Sequence, residues 1–102
     1  MYRYTTPTIP ITIEDLDFDT VDLFRVKFKS GSDEELFIIS ADDPRVDADN
    51  KTITIELTQE QTAALSTGFA EMQVRIRFTN GRVQATPIVK VSVQDVLDRV
   101  VI

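Results

Sequence analysis

Any chemistry in this chain would have to come from its carboxylates. Seventeen Asp and Glu residues stand against 11 Lys and Arg, and there is no His, Cys or Trp. Without Cys there is no disulfide, thiolate nucleophile or Cys-ligated zinc. Without His the commonest general base and metal ligand is missing. Asp15, Asp17 and Asp19 recur at every second position in "EDLDFDTVD", and two carboxylates are what glycoside hydrolysis needs. The connection that carries them is acidic and polar and has no Trp sugar platform, so nothing there raises one pKa above the other. In "DDPRVDADNK", Asp47 and Asp49 have the spacing of the first two EF-hand ligands. The match ends at Lys51, with no Gly after it and no Glu to close the loop. Ser and Thr hydroxyls have no His to activate them, and neither a G-x-S-x-G turn nor a phosphate-cradling glycine loop occurs. The sequence therefore predicts no catalytic, metal-binding or cofactor-binding residues, no cofactor and no small-molecule substrate. It predicts a non-enzymatic protein.

The net charge of -6 argues against nucleic acid and against anionic membrane as partners, since both need positive surface. The lead "MYRYTTPTIP" has no apolar signal core, and the run Leu36 to Ile39 is too short to span a bilayer, so a soluble, unexported chain is expected. Charge is also unevenly placed. Twelve of the 17 acids fall in three connections, Glu14 to Asp22, Asp33 to Glu35 and Asp42 to Asp49. Arg25, Lys27, Lys29, Arg75 and Arg77 instead interrupt apolar residues at alternate positions, predicting basic strand faces. One reading of this is solubility, with edge guarding and cross-strand pairs such as Lys27 with Glu56. The other is a molecule with basic faces and acidic ends, suited to docking on other proteins or on its own copies.

The elements that carry these residues follow from hydrophobic period. "TIPITI" alternates Ile9, Ile11 and Ile13 around Pro10, an edge strand. "LFRVKFKS" sets Phe24, Val26 and Phe28 against the basic face, and "AEMQVRIRF" sets Met72, Val74, Ile76 and Phe78 against Gln73, Arg75 and Arg77. "ELFIIS" is apolar on both faces, and "TITIEL" alternates again. Asn80-Gly81 suits a two-residue type I′ hairpin, and Pro87 breaks the returning strand "VQATPIVKVSV". Between strands, "TQEQTAAL" predicts one short helix over about 59–66, with Thr58 and Gln61 as a capping box and Gly68 at the C′ position. Ala63, Ala64 and Leu65 would lid the core as the chain crosses between sheets. "SVQDVLDRVVI" suggests a last helical turn capped by Ser92. The expectation is one all-β domain over residues 1–102, with 1–7 an extended N-terminal arm. The favoured topology is an immunoglobulin-like sandwich of six to seven strands, with a small closed barrel as the alternative.

Two features point to protein contact, the doubly apolar "LFII" and the N-terminal arm that carries Tyr2 and Tyr4 and could lie on another chain. Either Phe37 and Ile39 or Leu36 and Ile38 need a cover, from the tail "VLDRVVI" or from another subunit. The candidate protein interface is Tyr2, Tyr4, Phe37, Ile39, Val100, Val101 and Ile102.

Taken in order, "MYRYTTPT", "TITIELTQEQTAAL", "EMQVRIRFTNGRVQAT" and "VQDVLDRVVI" resemble small prophage-encoded structural proteins of Gram-positive bacteria. The similarity runs over nearly the whole chain. Its most specific parts are Leu57-Thr58-Gln59-Glu60, Gln73-Val74-Arg75 and Asn80-Gly81. The chain departs from that pattern at Asp98-Arg99, where a glycine-containing turn is expected, and in its longer acidic "ADDPRVDADNK" loop. The resemblance implies an Ig-like virion or assembly component of tail or baseplate, found in the virion or in the host cytoplasm during assembly. Its partners would be other phage structural proteins, with homo-oligomerisation open, and it brings no catalytic residues. The alternative is an Ig-like carbohydrate- or surface-binding module, for which Tyr2, Tyr4, Phe18 and Phe69 are the aromatic candidates.

Overall fold

The computed structural model describes residues 1–102. Two antiparallel sheets pack face to face. The smaller joins β1 (Thr8–Thr12), β5 (Thr52–Glu56) and β4 (Val46–Asp47), in that order. The larger runs β3 (Asp33–Ser40), β2 (Val21–Ser30), β6 (Gly68–Phe78), with β7 (Val83–Ala85) and β8 (Val89–Val93) sharing the far side of β6. This is an all-β sandwich. Its strand order matches strands B-E-D of an immunoglobulin domain on one sheet and C′-C-F-G on the other.

Alternation places the core. Phe24, Val26 and Phe28 of β2 and Ala70, Met72, Val74 and Ile76 of β6 point inward and are buried with Ile11, Ile53 and Ile55 of the small sheet. Their chain neighbours on β2 and β6 are exposed or half-buried, as a sheet with one wet face requires. Leu16 and Phe18 anchor the acidic connection; the Phe18 ring lies 5.4 Å from that of Phe24. Pro10 sits on β1, an edge strand, where its missing N–H costs no ladder bond.

The helix α1 (Gln59–Ala64) links β5 of one sheet to β6 of the other, as the sequence predicts. Its capping box is complete: the Gln61 N–H donates to Thr58 Oγ1 and the Thr58 N–H to Gln61 Oε1. It stops earlier than expected. Leu65 is already extended, and Gly68, at φ 111°, is the first residue of β6 rather than a helix C′ residue. The lid is made by the fully buried Thr62 and Leu65, while Ala64 is exposed.

Four further expectations change. The Asn80-Gly81 turn is not type I′. Only Gly81 has positive φ, and the Gly81 N–H donates to the Phe78 carbonyl, which describes a three-residue hairpin closed by a left-handed glycine. The returning strand does break at Pro87, giving β7 and β8. With the two-residue β4 this brings the strand count to eight. No C-terminal helical turn forms, because Ser92 lies within β8 and its carbonyl accepts from the Met1 ammonium. Residues 1–7 are not a free extended arm. Met1 and Arg3 bond the backbone of Gln94 on a parallel path, and Tyr4 turns the chain at φ 58°. The Thr5 N–H then donates to Thr62 Oγ1, and the Thr62 hydroxyl donates to the Thr5 carbonyl.

Candidate protein interface

Arg25, Lys27, Lys29, Arg75 and Arg77 all lie on the outer face of the five-stranded sheet. Beyond the irregularity at Val21–Leu23, strands β2 and β6 place their buried residues at even positions and these at odd ones, and antiparallel pairing sets the two series side by side. Register then decides which charges are compensated. At one end Lys29 stands between Glu34 and Glu71, and Glu71 faces Lys90, so sign alternates across four strands. Lys27 pairs with Glu34 at 3.2 Å, not with Glu56, which is on the other sheet. Arg77 reaches Asp22 at 2.7 Å. Arg25 and Arg75 are directly opposite each other, and neither makes an ion pair. A like-charge cross-strand pair costs about 0.2–1 kcal/mol relative to a neutral one.

Apolar side chains flank this pair. Ile38 is opposite Arg25 and Ala85 opposite Arg75, while Leu36, Val83 and Ile88 are also exposed. An open depression of about 200 Å³ lies between Leu23, Arg25, Arg75, Arg77 and Val83, and a second of about 210 Å³ between Arg25, Lys27, Leu36 and Gln73. Both are shallow troughs on one face, a shape that suits an extended segment lying across the strands. The acids gather elsewhere. Glu14, Asp15, Asp17, Asp19 and Asp49 line a trough at the end where β2 begins. Five acids there stand against Lys51 alone, whereas bases outnumber acids on the sheet face.

The other expected interface residues are scattered. Register pairs Ile39 with Phe24, which buries Ile39 completely and removes it from any surface; Phe37 is half-buried, its ring edge-on to Phe28 at 6.2 Å. Leu36 and Ile38 are the pair that faces outward. The tail does not cover them. Its last residue exchanges two hydrogen bonds with the Gln59 amide of α1, and Leu97, Val100, Val101 and Ile102 remain exposed. Tyr2 is exposed on the tied-down N-terminal segment, and Tyr4 is half-buried with the Arg3 guanidinium 5.4 Å from its ring. Of the aromatic sugar-platform candidates, Phe18 is buried, and Phe69 already carries the Lys90 ammonium 6.0 Å from its ring.

Three carboxylates are held below the usual range. The Arg45 side chain clamps Asp43 with two hydrogen bonds of 3.0 Å, and Asp47 accepts from the Asn50 side-chain amide at 2.7 Å and from its backbone N–H at 3.2 Å. For Asp95 burial pushes upward, but the Val96 N–H together with Arg99 and Arg3 outweighs it. Asp47 therefore serves its own turn, and no group of three or more acidic side chains converges as a metal site. Comparison with protein-family models, with curated proteins and with solved structures returns no match. No helix is long and apolar enough to cross a membrane.

The sequence identified the five basic residues but could not say that Arg25 and Arg75 would stand directly opposite each other. That depends on register, for which the only signal was the turn chemistry at either end of β2 and β6.

Proposed function

We propose that this chain is a phage-type structural or assembly subunit of tail or baseplate, acting through protein–protein contact. The basic outer face of the five-stranded sheet receives an acidic, partly apolar segment of a neighbouring virion protein. The observation that carries the contact role is the uncompensated Arg25–Arg75 pair set among exposed Ile38, Leu36 and Val83. An arrangement that costs stability in the free chain is recovered when an acid is brought between the two guanidiniums, which are rigid bidentate donors. The phage assignment is supported by the resemblance of the Leu57–Glu60 helix start, Gln73-Val74-Arg75 and the Asn80-Gly81 hairpin to prophage structural proteins.

The test is binding of the purified chain to the structural proteins encoded beside its gene, by interferometry at low and high salt. Arg75→Glu converts the like-charge pair into an opposite-charge one. It is expected to keep the fold and raise the melting temperature slightly, while weakening binding at least tenfold. Binding that is indifferent both to the substitution and to salt would refute the basic face as the contact.

A further inference from the structure

The four sheet edges are not treated alike. On the small sheet, β1 carries Pro10 and β4 is only two residues long. On the large sheet, the β7–β8 side is broken at Pro87 and covered at its end by Met1–Arg3. Each of these is a known way to stop a sheet from growing. The remaining edge, β3, has none. It is eight residues long, pairs with β2 without a register break, and contains no Pro, Lys or Arg. Its acids are confined to Asp33–Glu35, so Leu36–Ser40 presents an unguarded row of backbone donors and acceptors beside exposed Leu36 and Ile38.

We infer that β3 is a self-association edge, on which a second copy of this chain adds its own β3 antiparallel about a two-fold axis at Phe37. This deepens the contact role proposed above by naming one partner and its mode. Self-complementarity selects the register. Residues facing each other across an antiparallel pair share a sheet face, so the two-fold must pass through a residue. Centred on Phe37, it sets Leu36 against Ile38 of the copy and Ile38 against Leu36, with Glu34 against Ser40, so no like charges meet. Centred on Leu36 it would put Glu34 against Ile38. Centred on Ile38 it would put Glu34 against Asp42. The Phe37 axis alone buries both exposed apolar side chains twice over. A strand-edge contact of this size lies at the small end of specific interfaces, so the dimer should be concentration-dependent.

Sedimentation equilibrium up to about 1 mM is expected to show mass rising from 11.5 kDa towards twice that value. Ile38→Lys, at a side chain exposed in the monomer, is expected to abolish the rise while leaving the melting curve of dilute protein within about 2 °C. The chain has no cysteine, so register can be read directly. Leu36→Cys and Ile38→Cys chains carrying tags of different length, mixed and oxidised, are expected to give chiefly the mixed disulfide. A wild-type chain that stays monomeric at 1 mM, a dimer untouched by Ile38→Lys, or a statistical mixture of disulfides would each overturn the inference. None of these results bears on binding of acidic partners through Arg25 and Arg75, which is tested separately.

Discussion

Thr62→Val probes the joint on which the closed end of the sandwich depends. The Thr62 side chain is fully buried in a two-turn helix, yet its hydroxyl holds a segment 57 residues away. It accepts from the Thr5 N–H at 3.0 Å and donates its one proton to the Thr5 carbonyl at 2.8 Å, in competition with the Gln59 carbonyl at 3.2 Å. Valine keeps the shape and β-branching, so packing and helix propensity change little. What is lost is the partner of a part-buried N–H and carbonyl, costing about 2 kcal/mol. For a domain of this size that corresponds to a fall of roughly 8–16 °C in Tm. Thr62→Ser is the control. It keeps both bonds and gives up one buried methyl, about 1 kcal/mol. Calorimetry should therefore order the proteins wild type, then Thr62→Ser, then Thr62→Val, and hydrogen exchange should show lost protection at Thr5 in the valine variant alone. A Thr62→Val protein as stable as Thr62→Ser would refute the reasoning, since packing and not the hydroxyl would then hold the lid.

Two further outcomes follow from the same structure. Thr86→Val should cost about 1–3 kcal/mol by calorimetric Tm, because Thr86 Oγ1 accepts from the buried Val74 N–H at 3.1 Å just before Pro87 interrupts the strand. Asp43, Asp47 and Asp95 have folded pKa values below the unfolded 3.8, so at low pH the unfolded chain binds more protons. Their contribution is present above that value and is lost as pH falls through the folded ones. Tm should thus be flat from pH 5 to 7, where no His titrates, and drop below about pH 4; a drop already under way at pH 6 would contradict the assignment.

What could be read from the sequence was whatever a wet face imposes. β2 and β6 alternate because one side must be polar, and Thr58, Gln61, Gly81 and Pro87 mark a helix start, a turn and a strand break through their own backbone chemistry. "LFII" could not be oriented that way, since both parities are apolar. The choice of Phe37 and Ile39 as the inward pair is made by the register Phe24↔Ile39, a tertiary fact. The N-terminal clip left no trace either, because Met1 and Arg3 pair through backbone atoms that carry no side-chain period. Ser92 looked like a helix cap because a hydroxyl before "VQDV" suits one. Pairing with Phe69 claims its backbone for β8. The candidate face behaved likewise: its composition was legible, its uncompensated centre was not.

Salt separates the two contacts drawn from this surface. Ile38 of the edge lies directly against Arg25 of the face, so edge and face are continuous. Adding a second β3 would make one ten-stranded sheet, with Arg25 in line with Lys27 of the copy, three strand spacings away, about 14 Å. That exceeds the Debye length of about 8 Å at physiological ionic strength but falls well inside the ~30 Å at 0.01 M. Self-pairing through β3 should accordingly tighten as salt is added, because the repulsion between basic faces is screened while the apolar Leu36–Ile38 pairs are not. Capture of an acidic segment by Arg25 and Arg75 should weaken over the same range. Sedimentation and partner binding, each followed from 0.01 to 0.5 M NaCl, should therefore move in opposite directions. Parallel weakening of both would mean that self-association is itself electrostatic, basic face against acidic end, and that the β3 edge is not where the copies meet.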